Sequence, residues 1–194
     1  MELLALKVGA IIGIVAAGVV VLVLIIWLIA TYNSLVGHRN SSDVALSDMD
    51  IYLKKRYDLI PNLVETVKGY AKHESELLTN VTNARARATA ATTAEEKIAA
   101  DAEVTKALRS INIVAENYPA LKADASFMNL QKTLSSIEAE IANSRRYYNA
   151  RVGTYNGKIL RFPTNLVAKM FKFKSKPLYT VDDAAERQNV KVQF

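Results

Sequence analysis

The residues that could do chemistry are scattered along this chain without the spacing that catalysis needs. Only two histidines occur, and the pair His73-Glu74 lacks the second histidine, four residues on, that a zinc-protease helix requires. The other, His38, follows the apolar N-terminal region. No serine or threonine lies in a nucleophile-elbow or triad-type sequence, and no glycine-rich loop of the kind that cradles phosphate is present. The sequence therefore predicts a non-catalytic protein without a metal or cofactor.

The whole chain has a formal net charge of +6. Its basic residues are concentrated in the last third of the sequence. No acidic residue occurs between Ile141 and Val181. The basic residues of this tract are Arg145, Arg146, Arg151, Lys158, Arg161, Lys169, Lys172, Lys174 and Lys176. No RNA- or DNA-binding motif accompanies them, which disfavours nucleic acid as the partner.

Within this tract, residues 163–173 are predicted to form a short amphipathic helix, with four apolar residues on one face and lysines on the other. Such a helix suits an anionic lipid surface. Alternatively, the apolar face closes the end of a helical bundle and the lysines face water. The residues assigned to membrane-surface contact are Arg161, Leu166, Val167, Lys169, Met170, Phe171, Lys172, Lys174 and Lys176.

The element that fixes where the protein lies is an uncharged run from Val8 to Ala30. As a helix, these roughly 23 residues span about 35 Å, enough to cross the hydrocarbon core of a bilayer. The run is longer than a signal-peptide core, and the absence of cysteine excludes a lipoprotein anchor and disulfides. Trp27 and Tyr32 fall where amphipathic rings gather at a membrane interface. We expect a retained transmembrane helix over 8–30, after a short head over 1–7.

Small residues recur every four positions along one face of this span, at Ala5, Gly9, Gly13 and Ala17. Small residues at that spacing let two membrane helices approach closely, so the pattern predicts self-association. The charges next to the span do not set its orientation in the membrane, because Lys7 on one side is balanced by Arg39 on the other. The cluster at residues 54–56 favours a cytoplasmic C-terminal body.

The remaining sequence is predicted to be helical throughout. Apolar residues at alternating steps of three and four define a first segment over 31–90, with one missed turn at Glu74. Pro61 kinks this helix or starts a new one. A second segment over 94–117 begins with a capping-box spacing at Thr93 and Glu96, and its apolar stripe is Ile98, Ala102, Thr105, Leu108, Ile111 and Ala115.

The third segment, over 126–156, carries a coiled-coil-like seam of four heptads. Its members are Phe127, Leu130, Leu134, Ile137, Ile141, Arg145, Tyr148, Val152 and Tyr155. The predicted fold class is all-α, with an N-terminal transmembrane helix that continues into an elongated antiparallel helical bundle over 31–160. A basic amphipathic segment over 161–194 follows.

Several long motifs, in order, resemble the LemA family. The main block is residues 50–74 (DIYLKKRYDLIPNLVETVKGYAKHE). Similar stretches are 32–36 (YNSLV), 39–40 (RN), 118–123 (YPALKA), 127–131 (FMNLQ), 142–149 (ANSRRYYN) and 162–168 (FPTNLVA). Residues 136–141 (SIEAEI) depart from the family's pattern, which tends toward Thr-Glu-Asn-Arg-Ile. The resemblance implies a bacterial single-span membrane protein with a helical-bundle body and no established enzymatic activity.

The sequence is compatible with two functions. The first is a scaffold in the bacterial inner membrane that self-assembles into a homo-oligomer and contacts the lipid bilayer at its surface. The second is an accessory or sensor module that binds another membrane protein, such as a metallopeptidase, through exposed polar faces at 54–58 and 85–87. Relatives encoded near membrane metallopeptidases make the second hypothesis plausible.

Overall fold

The computed structural model describes residues 2–180 and, of these, the side chains from Ile11 onward. The side chains of Ala5 and Gly9, and all of residues 181–194, lie outside that part. The helices are α1 (Glu2–Tyr70), α2 (Ser75–Ala90), α3 (Ala94–Ala115), α4 (Pro119–Lys122), α5 (Ala125–Leu160) and α6 (Thr164–Met170). Residues 2–180 contain no strand, and the prediction of an all-α fold is confirmed.

Helix α1 includes the uncharged run and continues without interruption to Tyr70. It is long and apolar enough to cross a membrane, and none of its most apolar window is buried inside the chain. From Ile11 to Leu24 every side chain is exposed. Because apolar residues surround the helix on all sides here, this stretch has the character of a lipid-facing helix.

The first predicted helical segment is in fact two helices. Helix α1 continues through Pro61 and ends at Tyr70, and α2 begins at Ser75. A helix restart at Pro61 was therefore wrong, whereas a kink at this residue stays a prediction. The interruption lies at the missed apolar turn around Glu74, where the backbone N–H of Leu78 donates to the Glu74 carbonyl and opens α2.

Helix α3 begins with the capping box that the sequence predicts. The Thr93 side chain accepts from the backbone N–H of Glu96, and the Glu96 carboxylate accepts from the backbone N–H of Thr93. The predicted apolar stripe is only partly right, because Ala102 is exposed whereas Asp101 and Val104 are buried. The face that α3 buries thus includes an acidic residue.

The chain forms two compact units. The bundle unit comprises Ser42–Gly153 and the segment from Lys176 onward; the α6 unit comprises Met1–Ser41 and Thr154–Ser175. Helices α1 and α5 each contribute to both. Each unit has its own apolar cluster of buried side chains.

In the bundle unit, helix α3 runs parallel to α1, and α2 and α5 run antiparallel to it. The contacts that establish these directions are Asp50–Lys97 and Glu74–Tyr118 for α3, and Arg56–Glu138 and Tyr70–Asp124 for α5. For α2, the short connection over 71–74 and the bond from Arg85 back to the Tyr57 carbonyl set the direction. This is an up-down-up-down arrangement of four helices around one core. Most of the predicted α5 seam lies in that core, including Leu134, Ile141 and Tyr148.

In the α6 unit, the end of α5 and the short helix α6 pack on α1 just after its uncharged run. The cluster contains Leu35, Tyr155, Ile159, Val167 and Ala168, with Leu28, Tyr32 and Phe173 packed against it. The Tyr32 ring lies 4.6 Å from that of Phe171 and 5.8 Å from that of Phe173, measured between centroids. Residues far apart in sequence therefore meet at one level of α1.

Candidate functional site

A buried arginine marks the most unusual chemistry in the bundle unit. Arg56 follows Leu53 by one turn of α1 and has 0% of its surface exposed. A charged side chain is almost never fully buried unless it is paired. Its partner is Asp101 of α3, which is only 1% exposed. The core of this bundle therefore contains an ion pair between two helices.

The ion pair belongs to a network that connects three helices. Arg56 donates from Nη2 to Asp101 Oδ1, and Arg145 of α5 donates from Nη2 to Asp101 Oδ2. From its other terminal nitrogen, Arg56 donates to Glu138 Oε1 at 2.7 Å and to Thr105 Oγ1 at 3.3 Å. Two guanidinium groups thus face two carboxylates, so the network is balanced in charge.

The electrostatics of the network favour the charged form of Arg56. Burial alone lowers the pKa of Arg56, but the neighbouring carboxylates of Asp101 and Glu138 outweigh it, and the pKa is raised above its ordinary value. Burial, with a contribution from Asp101, raises the pKa of the adjacent Tyr57 to about 12. At neutral pH, Arg56 is a permanent cation and Tyr57 is a neutral phenol. Neither can act there as a general base.

The segment after α6 covers the Arg145 side of the network. The Asn149 side chain holds the backbone of Tyr179 through two hydrogen bonds, of 2.8 and 2.9 Å, and Tyr148 donates to the Pro177 carbonyl at 2.9 Å. The Tyr179 ring lies 5.5 Å from the Arg145 guanidinium carbon. Burial raises the pKa of the Tyr179 hydroxyl, with a further contribution from the charge of Asp101. These contacts place the Tyr179 ring over Arg145, whose side chain stays 29% exposed.

A groove opens beside Glu138, the most exposed carboxylate of the network. Its volume is about 340 Å³, and it is lined by Leu63, Thr105, Leu108, Arg109, Asn112, Gln131, Leu134, Ser135 and Glu138. Its lining contains no histidine and no cysteine. Within the described residues, no group of three potential ligands is placed to hold a metal ion. What the network can do chemically is join α1, α3 and α5 in one register.

The polar faces that the sequence assigned to a partner are largely engaged within the bundle unit. Arg56 is buried, so its assignment to the exposed face at 54–58 was wrong. Lys54 pairs with Asp58 at 2.5 Å. On α2, Arg85 donates to the Tyr57 carbonyl at 2.8 Å, and Arg87 pairs with Glu103 at 2.7 Å.

The residues predicted to contact a membrane surface divide into two groups. Val167 is 1% exposed because it packs in the cluster on α1, so placing it on the lipid-facing side was wrong. Lys176 belongs to the bundle unit and donates to Asp43. The other residues of this set are all exposed: Arg161, Leu166, Lys169, Met170, Phe171, Lys172 and Lys174.

Of the predicted self-association stripe, Gly13 and Ala17 lie in the part whose side chains are described. Ala17 is exposed, and a Cβ added at Gly13 meets no atom within 4 Å. This face of α1 is therefore open within the chain.

Sequence reasoning missed the Arg56–Asp101–Arg145 network. One signal was present, since Arg145 occupies a position of the α5 seam where the other members are apolar or aromatic. Asp101 gave no such signal, because an acidic residue on a helix is usually exposed.

A bundle of helices joined to a long apolar helix, with a structural ion-pair network at its centre, defines the class: an all-α, membrane-associated protein. A sequence model of the LemA family matches residues 45–194. This chain belongs to the LemA family.

The curated relatives include both LemA and magnetosome proteins. Protein LemA of Metamycoplasma hominis is 26% identical, and the match covers 81% of this chain and 75% of that protein. Magnetosome protein MamQ 2 of Paramagnetospirillum magneticum is 24% identical, and MamQ of Magnetospirillum gryphiswaldense is 22% identical. Each of these two matches covers 76% of this chain and 64% of the relative.

Proposed function

We propose that this protein is a non-catalytic scaffold that α1 anchors in the bacterial inner membrane and that assembles there into a homo-oligomer. The observation that carries the proposal is the state of α1 between Ile11 and Leu24, where every side chain is exposed. Lipid can cover most of this surface, and a second α1 can cover the face of small residues. In lipid, such a face favours close helix packing.

The bundle unit supports a structural role. Its central charged groups form ion pairs with one another and are not presented to a substrate, since Asp101 bridges two arginines. A network of this kind can select one helix register. A scaffold needs a body with a single, defined surface, and this network favours one.

The cytoplasmic orientation of the body is part of the same proposal, and it rests on the basic residues that follow the span. Protease protection in oriented vesicles tests it. Digestion of the body from the cytoplasmic side supports the orientation, and protection from that side contradicts it.

The experiment that tests self-assembly is a mass measurement on the full-length protein in mild detergent, combined with cross-linking in lipid. We expect a discrete oligomer in both environments. A species that stays monomeric in lipid at every protein concentration contradicts the proposal.

A further inference from the structure

The turn between α5 and α6 exposes several large apolar side chains to the surroundings of the chain. Leu160 is 76% exposed and Phe162 is 78% exposed. On α6 itself, Leu166 and Met170 are each 56% exposed, one helical turn apart. Single exposed apolar residues are ordinary, but a local group of this size marks a surface that contacts something apolar.

The position of this group along α1 identifies what it contacts. Lys158 donates to Ser34 at 2.8 Å, and the next residue, Ile159, packs in the cluster that includes Leu28 and Tyr32. The α5–α6 turn therefore lies beside the last residues of the uncharged run. If α1 crosses a bilayer, this is the depth at which the helix leaves the hydrocarbon core.

The charges around the turn fit the same environment. Arg161, Lys169 and Lys172 are exposed, and no acidic residue occurs anywhere between Ile141 and Val181. Apolar side chains interspersed with cations are typical of segments that lie in the interface of an anionic membrane. Because α1 anchors the same unit, the local concentration of lipid is high, and even a weak surface remains bound.

We propose that Leu160, Phe162, Leu166 and Met170 insert into the interfacial layer of the bilayer that α1 crosses, while Arg161 and Lys169 contact lipid phosphates. The α6 unit then touches the membrane at two places: along α1 and along the α5–α6 turn. The proposal rests on the membrane anchoring in the proposed function but not on self-assembly, since a monomer can bury this surface in lipid.

Fluorescence of single-cysteine variants tests the proposal, because the chain has no cysteine of its own. Phe162→Cys and Leu166→Cys, labelled with the environment-sensitive dye NBD, are reconstituted as full-length protein in vesicles of phosphatidylcholine and phosphatidylglycerol. Ile113→Cys is the matched control, since Ile113 is 63% exposed and lies on α3 of the bundle unit. Circular dichroism verifies that each variant keeps its helical content.

We expect blue-shifted emission at positions 162 and 166, and a several-fold larger quench by lipids brominated near the headgroup than at position 113. Equal quenching at all three positions overturns the proposal. A blue shift without bromine quenching, which disappears when the protein is diluted in lipid, also overturns it, because a second copy then covers the surface.

The cationic part of the proposal has its own control. Arg161→Gln combined with Lys169→Gln should lower the quench at position 166 in vesicles that contain phosphatidylglycerol, and change it less in pure phosphatidylcholine. A quench that is unaffected by these substitutions in both lipids overturns the assignment of the two cations to lipid phosphates.

Discussion

Arg56 and Asp101, 45 residues apart in sequence, form an ion pair that solvent does not reach. Removing two charges from water costs several kcal/mol each, and only close pairing and further hydrogen bonds offset this cost. Arg145 and Glu138 supply those additional contacts. We therefore expect the pair to contribute less through net stability than through the requirement that α1, α3 and α5 meet in one register.

The first prediction concerns the loss of the central carboxylate. Asp101→Asn leaves Arg56 and Arg145 with Glu138 as the one remaining carboxylate of the network, and Glu138 pairs with Arg56. We expect the free energy of unfolding to fall by about 3–5 kcal/mol, the usual effect of breaking a buried pair. Denaturant unfolding of the full-length protein in detergent, followed by circular dichroism, measures it.

The matched control is Asp58→Asn, the same chemical change in the exposed pair with Lys54 on the α1 surface. Exposed pairs contribute about 0–1 kcal/mol. Equal effects of the two substitutions would show that the buried network has no special role.

The second prediction concerns the start of α3. The backbone N–H groups of Thr93 and Thr92 donate to Glu96 and lower its pKa to about 2. A lowered folded-state pKa stabilises the protein above the ordinary value near 4.5, and this contribution is lost as the pH falls toward 2. We therefore expect wild type to exceed Glu96→Ala in stability at pH 7, and the difference to shrink between pH 4.5 and pH 2.

Thr93→Ala provides a partner measurement at constant charge. Loss of an N-cap hydroxyl costs about 1 kcal/mol, and we expect this cost to depend less on pH than that of Glu96→Ala. If wild type and Glu96→Ala differ in free energy of unfolding by the same amount from pH 7 to pH 2, the capping role of the carboxylate is contradicted.

How far the sequence predicts the fold is clearest at α3. Its capping box depends on residues three apart, so local spacing alone predicts it correctly. Its buried face does not follow from spacing, because Asp101 is buried only through arginines on two other helices. The end of α1 gave a local signal at Glu74 as well, whereas Pro61 is tolerated within the helix.

Burial that depends on distant residues also explains why the sequence wrongly placed Val167 of α6 on the membrane-facing side. A helix of seven residues makes barely two turns, so several choices of buried face fit its apolar residues equally well. Contact with Leu35 and Tyr32 on α1 decides that Val167 faces inward and Leu166 outward. Those contacts join residues more than a hundred positions apart, which local patterns do not reveal.

The third prediction tests whether Val167 faces α1 and Leu166 faces away from it. Val167→Ala removes two buried methyl groups and should weaken the packing of α6 on α1 by about 1.5–3 kcal/mol. Faster cleavage by trypsin after Lys169 and Lys172, in detergent, is the expected result. Leu166→Ala is the neighbouring control and should change the cleavage rate much less. A faster rate for Leu166→Ala than for Val167→Ala would contradict the packing described for α6.

The central claim is self-assembly through α1, and the most direct measurement compares two glycine substitutions. A Cβ at either Gly13 or Gly18 meets no atom of the chain within 4 Å, so Gly13→Ile and Gly18→Ile both fit an isolated α1. The two positions lie about 140° apart around the helix, and only Gly13 is on the small-residue face.

The measurement is the oligomer size of labelled full-length protein in lipid, counted by single-molecule photobleaching. We predict that wild type and Gly18→Ile form the same oligomer and that Gly13→Ile shifts toward the monomer. A monomeric wild type, or an oligomer that neither substitution changes, would contradict assembly through this face.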